Sequence, residues 1–139
     1  MSCLFLMLED NAERLDRFRA IVAKLDVELI SWPEAHAMIA EMGQFLHSTV
    51  LISLDHDLEP ISTRDPGDGL DVARHLATLQ PTCPIIIHTS NGIRGDLMEG
   101  ELELAGWTYH RVAPIGDDWI EVDWFAVARR ALRKRQKLG

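Results

Sequence analysis

Apolar and polar positions follow two alternating rhythms along this chain. Residues 3–8, 27–30, 49–54 and 84–88 are short, mostly apolar runs of strand length, and 107–112 is a fifth segment of that length in which Trp107, Tyr109 and Val112 are interspersed with polar residues. Between them, apolar residues recur every three or four positions: Leu15, Phe18, Val22 and Leu25, then Ala35, Met38, Ile39, Met42 and Leu46. The same spacing returns in Leu70, Ala73, Leu76 and Ala77, in Leu97, Met98 and Leu102, and in a terminal face of Trp124, Phe125, Val127, Ala128, Ala131 and Leu132. Unbroken apolar runs predict strands buried on both faces, and the longer period predicts amphipathic helices. Five strands alternating with five helices predict right-handed βαβ units on one parallel, doubly wound sheet. No repeat or linker interrupts the alternation, so one domain over 1–139 is expected.

Punctuation fixes the boundaries. Asp10 or Asn11 is placed to cap the first helix, Ser31-Trp32-Pro33 turns the chain into the second, and Gly106 closes the fourth. Asn91-Gly92 and Asp68-Gly69 are turn signals in any protein. Residues 58–69 form a twelve-residue connector containing Pro60, Pro66, Gly67 and Gly69. A βα loop usually takes about 2–6 residues, which makes this connector a candidate lid or substrate loop.

Composition narrows the class. A 139-residue chain with 47% apolar residues can bury a sizeable core, and no apolar run is long enough to span a membrane. Cys3 and Cys83 lack metal-ligand spacing and read as free thiols of a cytoplasmic protein. The net charge of -8 is uneven, because six of the fourteen basic residues fall in the last eleven positions, which hold no acid. The acidic remainder repels nucleic acid at long range, and the basic end reads as a helix terminus favoured by the macrodipole.

Chemistry concentrates where strands end. The third strand runs into Asp55-His56-Asp57, the first into Glu9-Asp10, and the fourth into His88-Thr89-Ser90-Asn91. Ligands bind at the carboxyl ends of strands in open α/β sheets. Two carboxylates held close need a proton or cation between them. Glu9, Asp10, Asp55 and Asp57 are therefore expected to gather a hard divalent cation such as Mg²⁺. The alternative for each acid is an ordinary cap or a solvated loop residue. His110, inside the fifth strand, reads as structural, and His36, His47 and His75 read as surface residues. Trp119, in the polar connector 116–123, reads as packing, with stacking on a base as its functional alternative. No exposed apolar patch is evident, and oligomeric state is not legible.

Leu8-Glu9-Asp10-Asn11 followed by Arg14, an acid after the third strand, Asp68-Gly69-Leu70, a Thr after the fourth strand and Ala105-Gly106 together resemble the receiver domain of bacterial response regulators. The likeness covers nearly the whole chain and implies a flavodoxin-like fold with strand order 2-1-3-4-5. It implies that Glu9 and Asp10 hold Mg²⁺, that Asp55 accepts the phosphoryl group, that the cation also touches the backbone at Asp57, and that Thr89 reports phosphorylation. One position departs. Receivers close the fifth strand with Lys-Pro, whereas this chain has Ala113-Pro114, and a methyl group supplies no charge to a phosphoryl oxygen.

Leu54-Asp55-His56-Asp57-Leu58 with His88-Thr89-Ser90-Asn91 resembles a divergent branch, the cyclic-phosphate processing receiver domains. That likeness implies action on cyclic phosphates of nucleotides or RNA ends. Opening a cyclic phosphodiester needs an activated water, a proton for the leaving alkoxide and stabilised phosphoryl charge. Histidine as a residue type can act as acid or base near neutral pH, so His56 and His88 suit those two roles, which stay unassigned between them. A divalent cation, Mg²⁺ or Mn²⁺, would serve the phosphoryl charge. Thr89, Ser90, Asn91 and Arg64 are the expected phosphate-binding groups. The expectation is a metal-dependent phosphoesterase, with catalytic Asp55, His56 and His88, acting on a phosphate-containing small molecule or an RNA end, with no membrane partner. The alternatives are a signalling receiver, phosphorylated or docking a protein partner, and an interaction domain with neither activity.

Overall fold

Strand β1 (Cys3–Leu8) lies inside the sheet, pairing in parallel with the edge strand β2 (Val27–Trp32) on one side and the central strand β3 (Thr49–Leu54) on the other. Beyond β3 follow β4 (Ile85–Ile87) and the edge strand β5 (Tyr109–Arg111), again parallel. The order is 2-1-3-4-5, the flavodoxin-like receiver arrangement expected from the sequence. The computed structural model describes residues 3–60 and 63–138.

Side chains alternate across the pleat, which divides the apolar residues between two layers. Leu4, Leu6, Leu8, Ile52, Leu54, Ile85 and Ile87 meet α2 (Ala35–Glu41), α3 (Gly69–Leu76) and α4 (Gly92–Leu104). Phe5, Met7, Leu51 and Ile86 meet α1 (Ala12–Val22) and α5 (Phe125–Leu138) on the other face. Both faces of β1 and β3 are covered, which is why these strands read as continuous apolar runs.

Local chemistry sets the helix starts. The Asn11 side chain accepts from the Arg14 N–H and Asn91 from the Arg94 N–H. Asp68 and Asp71 form a reciprocal capping box on α3. Each such cap stabilises its helix by about 1 kcal/mol. A π-helical turn, Ile120–Trp124, precedes α5, with the Trp124 N–H donating to the Trp119 carbonyl.

Three expectations need adjusting. The stripe ending at Leu46 is α-helical only to Glu41, after which Met42–Ser48 tightens into a 3₁₀ segment around the weak helix former Gly43. Trp107 lies in the turn after α4 rather than in β5: its N–H donates to the Leu102 carbonyl and its indole N–H to the Leu76 carbonyl. Leu97 lies outside the core, and Ile93, Leu97 and Leu104 make an exposed apolar row on α4 that the sequence did not reveal.

Gly69 lets α3 approach the end of β3. A Cβ there would overlap the Asp55 carbonyl oxygen, and the Gly69 N–H donates to the His56 carbonyl. Backbone on backbone cannot yield cheaply, so Gly69→Ala is expected to cost about 3 kcal/mol in urea denaturation. Gly43→Ala, where nothing lies within 4 Å, is the neutral control.

Candidate functional site

Parallel register decides which strand-end residues meet. Leu8 pairs with Leu54, and Leu54 with Ile87, so the next residues, Glu9, Asp55 and His88, stand in one row across β1, β3 and β4. The ladder continues through them: the Asp55 N–H donates to the Leu8 carbonyl and the His88 N–H to the Leu54 carbonyl. Their side chains share the face that carries α1 and α5. One donor atom from each lies within 4.8 Å of the others, the one such His/Cys/Asp/Glu group found among the described residues.

Every member of the row is held. Glu9 Oε2 accepts from the Asp10 and Asn11 N–H groups at 3.1 Å each, which leaves Oε1 facing His88 Nε2 at 3.2 Å. His88 has no exposed surface, and its Nδ1 lies 2.7 Å from Ser53 Oγ. The Trp124 indole N–H donates to the same hydroxyl at 2.9 Å. Phe18 and Trp119 flank the imidazole, with ring centroids 5.3 and 6.0 Å away. Trp119 is therefore a packing residue, buried against His88 and Phe18.

Burial raises the Asp55 carboxyl, and the negative charge of Glu9 raises it further. His88, the His56 N–H and Arg14 oppose these effects incompletely, and the group stands at about 6. Burial also acts to raise Glu9, but its hydrogen bond and charge contact with His88, the Asn11 N–H and Arg14 outweigh it, and Glu9 is lowered. One buried carboxylate is thus satisfied by its surroundings and its neighbour is not. Two carboxylate oxygens and an imidazole nitrogen in this arrangement fit a divalent cation.

Arg14 supplies charge that the fifth strand does not. Its guanidinium lies 3.8 Å from Glu9 Oε1 and 3.7 Å from Asp55 Oδ2, and packs over the Trp119 ring at 5.2 Å. In the sequence Arg14 stands only as part of the motif that begins at Leu8. Its position one helical turn beyond Asp10 was the available signal.

The remaining candidates lie around this row. Asp10, on the opposite side of the pleat, accepts from the Glu59 N–H; burial raises its carboxyl. Asp57 is exposed and joins His56 Nδ1 at 2.8 Å and Asn91 Nδ2 at 3.4 Å. Of the four carboxylates, Glu9 and Asp55 belong to the close group with His88 found among the described residues. His56 is buried, and its Nε2 has no hydrogen-bond partner among the described residues, Asp68 Oδ2 lying 3.5 Å away. Thr89 is buried and accepts from the Asn91 N–H, Ser90 is exposed, and Asn91 serves chiefly as the α4 cap. Arg64 is exposed in the connector. His36 and His47 are exposed, and His75 is half-buried. His110 is half-buried, with burial and then Arg130 and Lys134 lowering it.

The sequence model of the cyclic-phosphate processing receiver domain matches residues 6–104. The chain belongs to that family. Solved structures agree on the fold of this cyclic-phosphate processing receiver domain. A receiver domain of a Clostridium thermocellum response regulator aligns with a TM-score of 0.69 at 14% identity, covering 99% of each chain. A CheY-like receiver domain from Methanospirillum hungatei gives 0.68 at 15% identity and covers both chains fully. The receiver domain of a LuxO repressor protein from Vibrio parahaemolyticus gives 0.63 at 21%, covering 100% of this chain and 99% of its own. No curated protein matches the sequence.

Proposed function

We propose that the chain is one receiver-like domain, spanning 1–139, whose strand-end pocket takes a divalent cation and a phosphoryl group, with Asp55 as the phosphoryl acceptor. The alignment of Glu9 and Asp55 at one level of the sheet, with Arg14 across both, is the observation that supports it. Asp55 Oδ2 is the attacking oxygen: it bonds to the phosphorus of a small phosphodonor as the bond to the donor's leaving oxygen breaks. The His56 N–H holds Oδ1 at 2.7 Å and so orients the carboxylate. Arg14 meets the phosphoryl oxygens in place of the ammonium that Ala113 cannot provide. A bound divalent cation would neutralise part of the phosphoryl charge.

Incubation with acetyl phosphate and Mn²⁺ or Mg²⁺, followed by intact-mass measurement, tests this reading. One added phosphoryl group, absent in Asp55→Asn, is expected; an unmodified, folded, ion-loaded protein contradicts it. Arg14→Gln should slow the modification roughly tenfold or more. Arg17→Gln, which loses an ion pair with Glu121, should leave the rate unchanged.

Hydrolysis of a cyclic phosphodiester has less support than receiver function, but one feature favours it. The buried His56 Nε2, which has no hydrogen-bond partner among the described residues and lies 3.5 Å from Asp68 Oδ2, suits a group that exchanges a proton with a substrate hydroxyl. A 2′,3′-cyclic nucleotide turned over by wild type and not by His56→Ala would establish it. An RNA end as substrate has no such support. Family membership supports a cytoplasmic location, and the exposed row Ile93, Leu97 and Leu104 is where a protein partner would dock. Among the described residues, no helix is long and apolar enough to cross a membrane.

A further inference from the structure

We infer that His88 Nε2 is itself a metal ligand, so that this receiver pocket is a mixed nitrogen–oxygen site selective for first-row transition ions of the Mn²⁺, Fe²⁺ or Zn²⁺ class over Mg²⁺. The inference rests on the cation reading above and deepens it. Ligands held about 2.1 Å from one ion stand roughly 3–4 Å apart. Glu9 Oε1 and His88 Nε2 are already 3.2 Å apart, and a donor oxygen of Asp55 lies within the same 4.8 Å group. A small side-chain movement closes the triangle.

The surroundings of His88 are those of a ligating imidazole. Such a ring donates its other N–H to a fixed acceptor, which sets tautomer and orientation. Ser53 Oγ provides that acceptor at 2.7 Å from Nδ1, and the Trp124 indole N–H pins the hydroxyl from behind. The hydroxyl serves both tautomers. Without an ion, Ser53 O–H donates to Nδ1 and Nε2–H donates to Glu9. With an ion, Nδ1–H and the Trp124 N–H both donate to the two lone pairs of Ser53 Oγ, and Nε2 is free to ligate. The change needs one hydroxyl rotation and, because the ring has no exposed surface, a transient opening of the pocket in which water takes the proton from Nε2 and returns one to Nδ1. The imidazole cannot leave easily, because Phe18 and Trp119 clamp it.

Oxygen donors and hexahydrate-like freedom suit Mg²⁺, whereas an imidazole in a shut pocket suits softer ions. Oxygen-only sites also favour transition ions somewhat, so affinity rank alone does not decide. The deciding readout is nitrogen coupling: pulsed electron paramagnetic resonance of full-length protein loaded with Mn²⁺, with histidine at natural abundance and then labelled with ¹⁵N. A histidine-nitrogen coupling that changes with the label is expected. Alongside it, calorimetry should show the Mn²⁺-over-Mg²⁺ preference falling at least tenfold in His88→Gln, in variant protein shown to be folded. An ion that binds in an Asp55-dependent way without nitrogen coupling overturns the imidazole assignment and leaves the phosphoryl reading standing. Absence of any bound ion overturns both.

Discussion

Without divalent ions at pH 7.5, Asp55→Asn is expected to be more stable than wild type by about 2–3 kcal/mol. Burial and the adjacent Glu9 charge lift the folded-state Asp55 carboxyl from its ordinary 3.8 to about 6. The folded protein therefore holds a proton that the unfolded chain has already released. That stabilisation is complete below about pH 3.8, is lost as pH rises through about 6, and is absent above pH 7. The amide of the variant carries no charge to bury, and its oxygen can still accept from the His56 N–H. Urea denaturation across pH 4.5–7.5 in chelator should show wild type converging on the variant at the acid end. A divalent ion added at pH 7.5 should restore wild type and leave Asp55→Asn unmoved. Equal stability of the two proteins at every pH would mean that water reaches Asp55.

His88→Ala should cost about 3–5 kcal/mol in metal-free protein. The substitution empties a space between Phe18 and Trp119 and strips Glu9 Oε1 of its buried partner. Glu9 then remains a carboxylate with no exposed side-chain surface, facing a cavity. Replacing both residues, Glu9→Gln with His88→Ala, should cost less than the sum of the single changes, because no buried charge is left behind. A loss below 1 kcal/mol from His88→Ala alone would show that Glu9 is hydrated rather than held by the imidazole.

Much of this arrangement was legible before the structure, for identifiable reasons. Runs 3–8 and 49–54 are covered on both faces, so their apolar continuity marked them as central strands, and their acidic ends marked the pocket. Glu9, Asp55 and His88 were each visible as strand-end residues, but their alignment depends on parallel register, which one strand's pattern does not carry. Asp10 and Asp57 looked equivalent to Glu9 and Asp55 because the pleat, not the composition, sends neighbours to opposite faces. Ser53 was the clue that passed unused. A hydroxyl inside a buried strand must be bonded, and its partners are His88 and Trp124. The π-helical turn that places Trp124 leaves no signature in the apolar spacing.

The central claim, that the Glu9–Asp55–His88 row is a divalent-ion centre, is tested most directly by calorimetric titration of the metal-free protein with Mn²⁺ at pH 7.5, wild type beside Asp55→Asn. One equivalent bound by wild type and none by the variant is the predicted result. No binding by folded wild type, or equal binding by Asp55→Asn, would contradict it.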